Sequence, residues 1–112
     1  MQENLKLALQ DFVSQAEKIY TGHVKQIILY GSYARGDYRE DSDVDIMILV
    51  DLPQESLWEY RKQMMHDVFD INLERETLIV PVTVNIDHFQ EWLPVYPFYQ
   101  NVINEGVELF AA

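Results

Sequence analysis

The spacing of hydrophobic positions along the chain predicts an alternation of helices and strands. Apolar residues recur every three or four positions over residues 3–20 and 54–73, which predicts two amphipathic helices. Three apolar runs at residues 23–30, 43–50 and 78–86 have the length and the β-branched content of strands. Helices that alternate with strands in this order predict an α/β (α+β) fold.

Shorter elements are expected in the last quarter of the chain. We predict a helix over residues 88–92 with Asp87 as its N-cap, and another over residues 98–104. Gly106 is expected to end the second of these helices. Residues 107–110 are then expected to add a last small strand.

The run at residues 43–50 is predicted to lie inside the sheet, because it is apolar on both faces beyond its first positions. Side chains alternate between the faces of a strand, so one face carries Val44, Ile46, Ile48 and Val50. The other carries Met47 and Leu49 behind two carboxylates, which favours a site at one end of this strand. Pro81 cannot donate to a strand ladder, and therefore predicts an edge position or a local break for the last long run.

A glycine turn and two carboxylates lie between the first two predicted strands. Asp43 and Asp45 are two positions apart on a strand and should point the same way, as suits a divalent cation such as Mg²⁺. Gly31 allows the backbone to approach a ligand closely, and Ser32 adds a hydroxyl and an N–H that can donate to phosphate. This combination favours a metal-bound nucleoside triphosphate.

The intervening loop at residues 33–42 is polar and contains two of the eight basic residues of the chain, Arg35 and Arg39. A guanidinium can bind phosphate oxygens with two hydrogen bonds. The alternative is an ion pair within the loop, with Asp37, Glu40 or Asp41. Ser42 either orients Asp43 or simply begins the strand.

The run GSYARG, followed by SDVDIMILVD, resembles a known family signature. Gly31-Ser32, ten residues and then Asp43-Val44-Asp45 is similar to the Gly-Ser…Asp-x-Asp pattern of the DNA-polymerase-β-like nucleotidyltransferase superfamily. The fuller run over residues 31–51 resembles the minimal nucleotidyltransferase (MNT) proteins. The resemblance implies a polymerase-β-like fold, a small mixed β-sheet flanked by helices, in a single minimal nucleotidyltransferase domain over residues 1–112.

The resemblance also implies a reaction. Asp43 and Asp45 would be the catalytic, metal-binding residues, with Mg²⁺ as the cofactor and ATP as the substrate. MNT proteins are often encoded beside a HEPN-domain protein, so the expected function is transfer of AMP to a tyrosine hydroxyl of a HEPN-type toxin, as its antitoxin. The residues expected to bind the nucleotide are Gly31 and Ser32 of the turn, and Arg35 and Ser42 of the loop.

Members of the superfamily usually carry a third carboxylate on a later strand that faces the first two. The corresponding run at residues 78–86 contains no Asp or Glu, although Thr83 and Asn85 are polar. The acids that flank this run are Glu74, Glu76 and Asp87. A degenerate module that neutralises its partner by binding alone is therefore the alternative function.

Four aromatic residues near the C-terminus have two interpretations. They either form a partner interface, where aromatic residues are enriched, or close the core. The residues are Trp92, Tyr96, Phe98 and Tyr99. A third function, transfer to a small molecule as in aminoglycoside-modifying relatives, normally requires a second domain to hold the acceptor.

Composition narrows the expected partners. The formal charge of −11 and the pI near 4.4 disfavour long nucleic acids and anionic membranes. The absence of cysteine excludes disulfides and thiolate metal sites, and the chain start has no signal-peptide pattern. We therefore expect a cytoplasmic protein. An open sheet edge and an apolar C-terminal end also make a homodimer possible.

Overall fold

The computed structural model describes residues 3–112. Met1 and Gln2, which belong to the stretch in which no signal peptide is expected, lie outside it. No helix among the described residues is long and apolar enough to cross a membrane. In chain order the elements are α1 (Glu3–Ile19), β1 (Val24–Tyr30), α2 (Ser32–Arg35), β2 (Val44–Val50), a 3-10 turn (Gln54–Ser56), α3 (Trp58–Arg75), β3 (Ile79–Asn85), α4 (Ile86–Trp92), α5 (Pro97–Glu105) and β4 (Val107–Ala111).

The four strands form one mixed sheet in the order β3-β2-β1-β4. β1 is antiparallel to both β2 and β4, whereas β2 and β3 are parallel. The parallel pair needs a crossover connection, and α3 provides it. The prediction of a mixed sheet flanked by helices is confirmed, and so is the edge position that Pro81 indicates for β3.

One core lies between the sheet and the pair of helices α1 and α3. The stripe of α1 contributes Leu5, Leu9, Phe12 and Ala16, all at most 5% exposed. The predicted face of β2 meets it with Val44, Ile46, Ile48 and Val50. The pattern of alternation along this strand therefore decides which side chains the two helices cover.

A second core covers the opposite face of the sheet. Met47 and Leu49 of β2 pack there with Ile28 of β1 and with side chains of α4 and α5, among them Phe89, Tyr99 and Val102. β2 is thus buried on both faces, as its continuous apolar run predicts. Its polar N-terminal end is the exception, and the candidate site lies there.

The segment predicted as a loop after β1 begins with a short helix. α2 spans only Ser32–Arg35 and ends at Gly36, which has a left-handed φ of 87°. A single turn is too short to produce a hydrophobic periodicity, so the pattern could not reveal it. The helix predicted over residues 54–73 instead begins as a 3-10 turn and continues as α3 to Arg75.

The predicted cap of α4 is wrong. The helix begins at Ile86, and the side chain of Asn85 caps it by accepting a hydrogen bond from the backbone N–H of His88 at 2.9 Å. Asp87 lies inside the first turn and cannot act as N-cap. The side-chain amide of Asn85 also donates to the carbonyl of Leu52 at 2.7 Å, which ties α4 to the end of β2.

The aromatic stretch near the C-terminus is divided between the core and the surface. Tyr99 is buried, shares a hydrogen bond with His88 and packs 4.7 Å from Phe89, ring to ring, so it closes the core. Trp92 and Tyr96 are 48% and 45% exposed. Only these two remain open to a partner surface.

Candidate functional site

Asp45 lies directly against the glycine turn at the end of β1. It is the second residue of β2 and is paired with Tyr30, the last residue of β1. Gly31 has a φ of 78°, and a Cβ at this position would overlap the Asp45 carboxylate oxygen Oδ2. Glycine is therefore required here both for the backbone conformation and for the space that the carboxylate occupies.

The environment of Asp45 disfavours its charged form. Burial raises the pKa of this carboxyl, and the nearby charge of Asp43 raises it further, while Arg35 opposes the shift. Burial, together with the charge of Asp45, also raises the pKa of Tyr30 to about 12. The charge of Asp43 therefore acts directly on Asp45, and the shared role of the two carboxylates in one site stays a prediction.

The two aspartates fit a divalent cation. In the described part of the chain, neither carboxylate takes a side-chain hydrogen bond or an ion pair from another residue. A cation between them would offset both the burial and the mutual repulsion of the two charges. Within residues 3–112 no group of three His, Cys, Asp or Glu side chains is arranged to hold a metal. Two carboxylates with phosphate and water oxygens suit Mg²⁺.

The residue of β3 that is paired with Asp45 is apolar. In the parallel register of β2 and β3, Asp45 is paired with Val80, which is 42% exposed. Thr83 lies on the opposite face, where its hydroxyl hydrogen-bonds with that of Tyr20 at 2.9 Å. Asn85 is used as the cap of α4. Neither polar residue of β3 can replace the missing carboxylate.

The structure brings a different acid, Glu105, to the glycine turn. Its Oε1 accepts a hydrogen bond from the backbone N–H of Gly31 at 3.0 Å. Its charge also contributes to the raised pKa of Asp45. Sequence reasoning missed this residue because it is distant along the chain. No local pattern marks it. The β1–β4 register pairs Leu29 with Val107, and continuing this antiparallel register by two residues places Gly31 opposite Glu105.

The predicted phosphate-binding side chain of Arg35 is at the turn but already paired. Its Nη1 lies 3.2 and 3.1 Å from the two carboxylate oxygens of Glu105, and its Nε lies 3.2 Å from Oδ2 of Asp37. The ion-pair interpretation of the loop is therefore confirmed for Asp37. Arg35 is also exposed and could be reached by a ligand. Its pairing with phosphate stays a prediction.

The two predicted serines differ in position. Ser32 begins α2 directly after Gly31 and is half-buried. The hydroxyl of Ser42 accepts a hydrogen bond from the backbone N–H of Arg39 at 2.8 Å, so it closes the loop and makes no bond to Asp43. Ser42 also lines a cleft of about 490 Å³ with Tyr33.

Two comparisons with known sequences match most of this chain. The profile of the nucleotidyltransferase domain matches residues 8–99. A Methanocaldococcus jannaschii protein described as a "putative protein adenylyltransferase" is 32% identical over 107 residues, which cover 96% of this chain and 99% of that protein.

Two solved structures share the fold at low sequence identity. A "putative minimal nucleotidyltransferase" superposes with a TM-score of 0.62 at 18% identity, covering 96% of this chain and 94% of its own. A toxin–antitoxin structure with AMP-PNP superposes with a TM-score of 0.54 at 19% identity, covering 92% of this chain and 73% of its own.

Proposed function

The chain belongs to the nucleotidyltransferase domain family, and from this premise we propose that it transfers AMP from ATP to a hydroxyl group of another protein. The observation that carries the proposal is a pair of carboxylates, free of side-chain partners within the described residues, of which Asp45 lies directly against Gly31. The carboxylates suit the metal ion of a metal-bound triphosphate, and the glycine turn suits its phosphates. One domain over residues 1–112 would carry the whole site.

Each predicted residue has a proposed role in binding ATP. Asp43 and Asp45 hold Mg²⁺, which supplies the countercharge that the triphosphate needs. The backbone and hydroxyl of Ser32 bind the phosphates beside Gly31, with Arg35 as a further donor. Ser42 binds the nucleotide from the loop that precedes β2.

The transfer step is a displacement at the α-phosphorus of ATP. The acceptor oxygen forms a new bond to this phosphorus as the bond to the bridging oxygen breaks, and pyrophosphate leaves with the electron pair. The proton of the acceptor hydroxyl passes to water. Val80 is paired with Asp45, so β3 offers no third carboxylate there. The chain therefore contributes to this step by positioning the reactants and stabilising charge.

The proposed acceptor is a tyrosine of a HEPN-domain toxin encoded nearby, which makes this protein a cytoplasmic antitoxin. The Methanocaldococcus relative is named a protein adenylyltransferase, and a toxin–antitoxin structure shares the fold. The net charge of −11 favours a protein acceptor over a long nucleic acid.

A specific observation supports a second candidate function. With Val80 in place of a carboxylate, the site offers fewer metal ligands than the superfamily pattern. A module that neutralises its partner by contact alone would need no complete site. The exposed Trp92 and Tyr96 are available for such a contact.

We also propose that the protein forms a homodimer through α3. Four of its large apolar residues recur on one face and are 60–73% exposed: Trp58, Met65, Phe69 and Leu73. A second copy is the proposed occupant because the charges beside this stripe are self-complementary. Antiparallel packing about the middle of the stripe would bring Lys62 of one copy near Asp70 of the other.

Intact mass spectrometry tests the proposed transfer. The chain is co-expressed with the neighbouring HEPN-domain protein and purified with ATP and Mg²⁺. We expect the partner to gain AMP units with the wild type, and Asp43→Asn or Asp45→Asn to slow this gain by at least about 100-fold, since each removes a metal ligand. Asp41→Asn is the matched control, because it removes the same charge two residues before Asp43.

The outcomes separate the candidate functions. Undiminished modification by Asp45→Asn would show that the site is assigned to the wrong residues. A stable complex whose partner never gains mass would favour neutralisation by binding alone.

A further inference from the structure

We propose that Glu105 acts as an internal substitute for phosphate, which holds the anion-binding donors of the turn in the free protein and is displaced when a nucleotide binds. This inference rests on the proposed function. It concerns a residue outside the Gly-Ser…Asp-x-Asp pattern, contributed by the opposite end of the chain.

The contacts of Glu105 are those that a phosphate group would make. One carboxylate accepts a hydrogen bond from the backbone N–H of Gly31 at 3.0 Å. Both oxygens of the same carboxylate also accept hydrogen bonds from Nη1 of Arg35, at 3.2 and 3.1 Å. A backbone N–H of a glycine turn and a guanidinium are the typical donors of a phosphate site.

The backbone of Glu105 is held in place by the junction between α5 and β4. The next residue, Gly106, packs so closely on α5 and β1 that a Cβ there would overlap the carbonyl oxygen of Val102 and lie 2.5 Å from Cγ2 of Ile28. Val102 is fully buried. The carboxylate is thus delivered to the turn by rigid elements, and no loop rearrangement is needed to place it.

The side chain itself can leave. The Glu105 side chain is 23% exposed, so rotation about its own bonds can carry the carboxylate into solvent. A phosphate and this carboxylate are both anions and cannot share the Gly31 N–H and the Arg35 guanidinium without repulsion. Asp37 would still hold Arg35 near the turn after Glu105 has moved.

The proposal is tested by measuring the affinity for ATP in the presence of Mg²⁺ by isothermal titration calorimetry. Glu105→Gln keeps the shape and the acceptor oxygen but removes the charge, and Glu105→Ala removes both. We expect both variants to bind ATP about three- to tenfold more tightly than the wild type, because no anion has to be displaced from an exposed pair.

Glu108→Gln is the matched control. It changes the net charge by the same amount, only three residues away, at a carboxylate that accepts a hydrogen bond from Gln26. Its affinity for ATP should stay within about twofold of the wild type, because screening by salt leaves little effect of a distant exposed charge.

A second measurement follows the contact itself. In the free wild-type protein the Gly31 amide proton should exchange slowly with solvent. Glu105→Ala should accelerate that exchange, because the acceptor of the bond is gone. Unchanged exchange would mean that the contact is absent in solution, and would overturn the inference.

Two further results are decisive and distinct. If the wild type binds ATP and both Glu105 variants bind equally well or more weakly, the displacement model is wrong while the proposed function stands. If neither the wild type nor any variant binds ATP, the proposed function fails and this inference fails with it.

Discussion

At the scale of single residues, Gly31 connects the backbone of the turn to the chemistry of the site. Its φ of 78° is strained for other residues, and the space that a Cβ would need is filled by the Asp45 carboxylate. Its N–H is also bound to Glu105. One glycine therefore sets the position of an aspartate and presents a donor to anions.

Gly31→Ala should destabilise the protein and impair the site. We expect a loss of about 1–2 kcal/mol in the free energy of unfolding from backbone strain, plus a further loss from the displaced carboxylate. Urea denaturation measures the stability. ATP binding with Mg²⁺ should be lost under conditions in which the variant remains folded.

Gly22→Ala separates strain from function. Gly22 has nearly the same φ, 77°, but a Cβ there meets no atom within 4 Å. We expect a loss of stability from the positive φ alone, with unchanged affinity for ATP. Equal affinity losses in both variants would indicate that Asp45 does not depend on the space at Gly31.

At the scale of elements, the junction of β3 and α4 shows how one side chain joins two parts of the fold. Asn85 caps α4 through the N–H of His88 and holds the carbonyl of Leu52 beyond β2. Its own N–H donates to the side chain of Gln54 at 2.9 Å. The end of the edge strand is thus fixed to the strand that carries the aspartates.

Asn85→Ala should lower the free energy of unfolding by about 1–2 kcal/mol, because it removes the cap of α4 and leaves two backbone groups without their partner. Asp87→Ala is the control, since Asp87 is exposed and lies in the first turn. Its effect should stay within about 0.5 kcal/mol, the contribution of an exposed acid to the helix dipole. Equal losses in chemical denaturation would contradict the assignment of the cap.

At the scale of the whole molecule, an exposed apolar surface lies away from the carboxylates. A groove of about 710 Å³ runs between α3 and the edge strand β3, with Trp58, Met65 and Phe69 among its lining residues and Pro81 on the strand side. A second copy that covered this groove would bury its apolar lining and so add to the contact between the two copies. The site and the proposed dimer surface therefore use different parts of the fold.

Met65→Gln combined with Phe69→Gln should convert the dimer to a monomer, because it removes two central apolar contacts. Sedimentation equilibrium gives the mass. Val95→Gln, at a side chain that is 68% exposed outside α3, should leave the dimer intact. Lys62→Asp should weaken the dimer, and adding Asp70→Lys should restore it if the two residues face each other. A wild type that stays monomeric would overturn the proposal.

Much of the fold is readable from hydrophobic spacing because that spacing reports burial directly. The apolar alternation of β2, its burial on both faces and the edge position marked by Pro81 are all confirmed. The short helix α2 was missed and the cap of α4 was misassigned. A single turn has no periodicity, and the first residue of a helix is decided by competing caps one or two positions apart.

For the site, the sequence by itself determined the residues that are close along the chain. Gly31, Ser32, Asp43 and Asp45 lie on one strand–turn–strand segment, so local geometry is enough to bring them together. Their roles in binding Mg²⁺ and ATP stay predictions. Only the tertiary structure decided that Val80 faces Asp45 and that Glu105 holds the turn. Both depend on the register between strands distant in sequence, which is set by packing of the whole sheet.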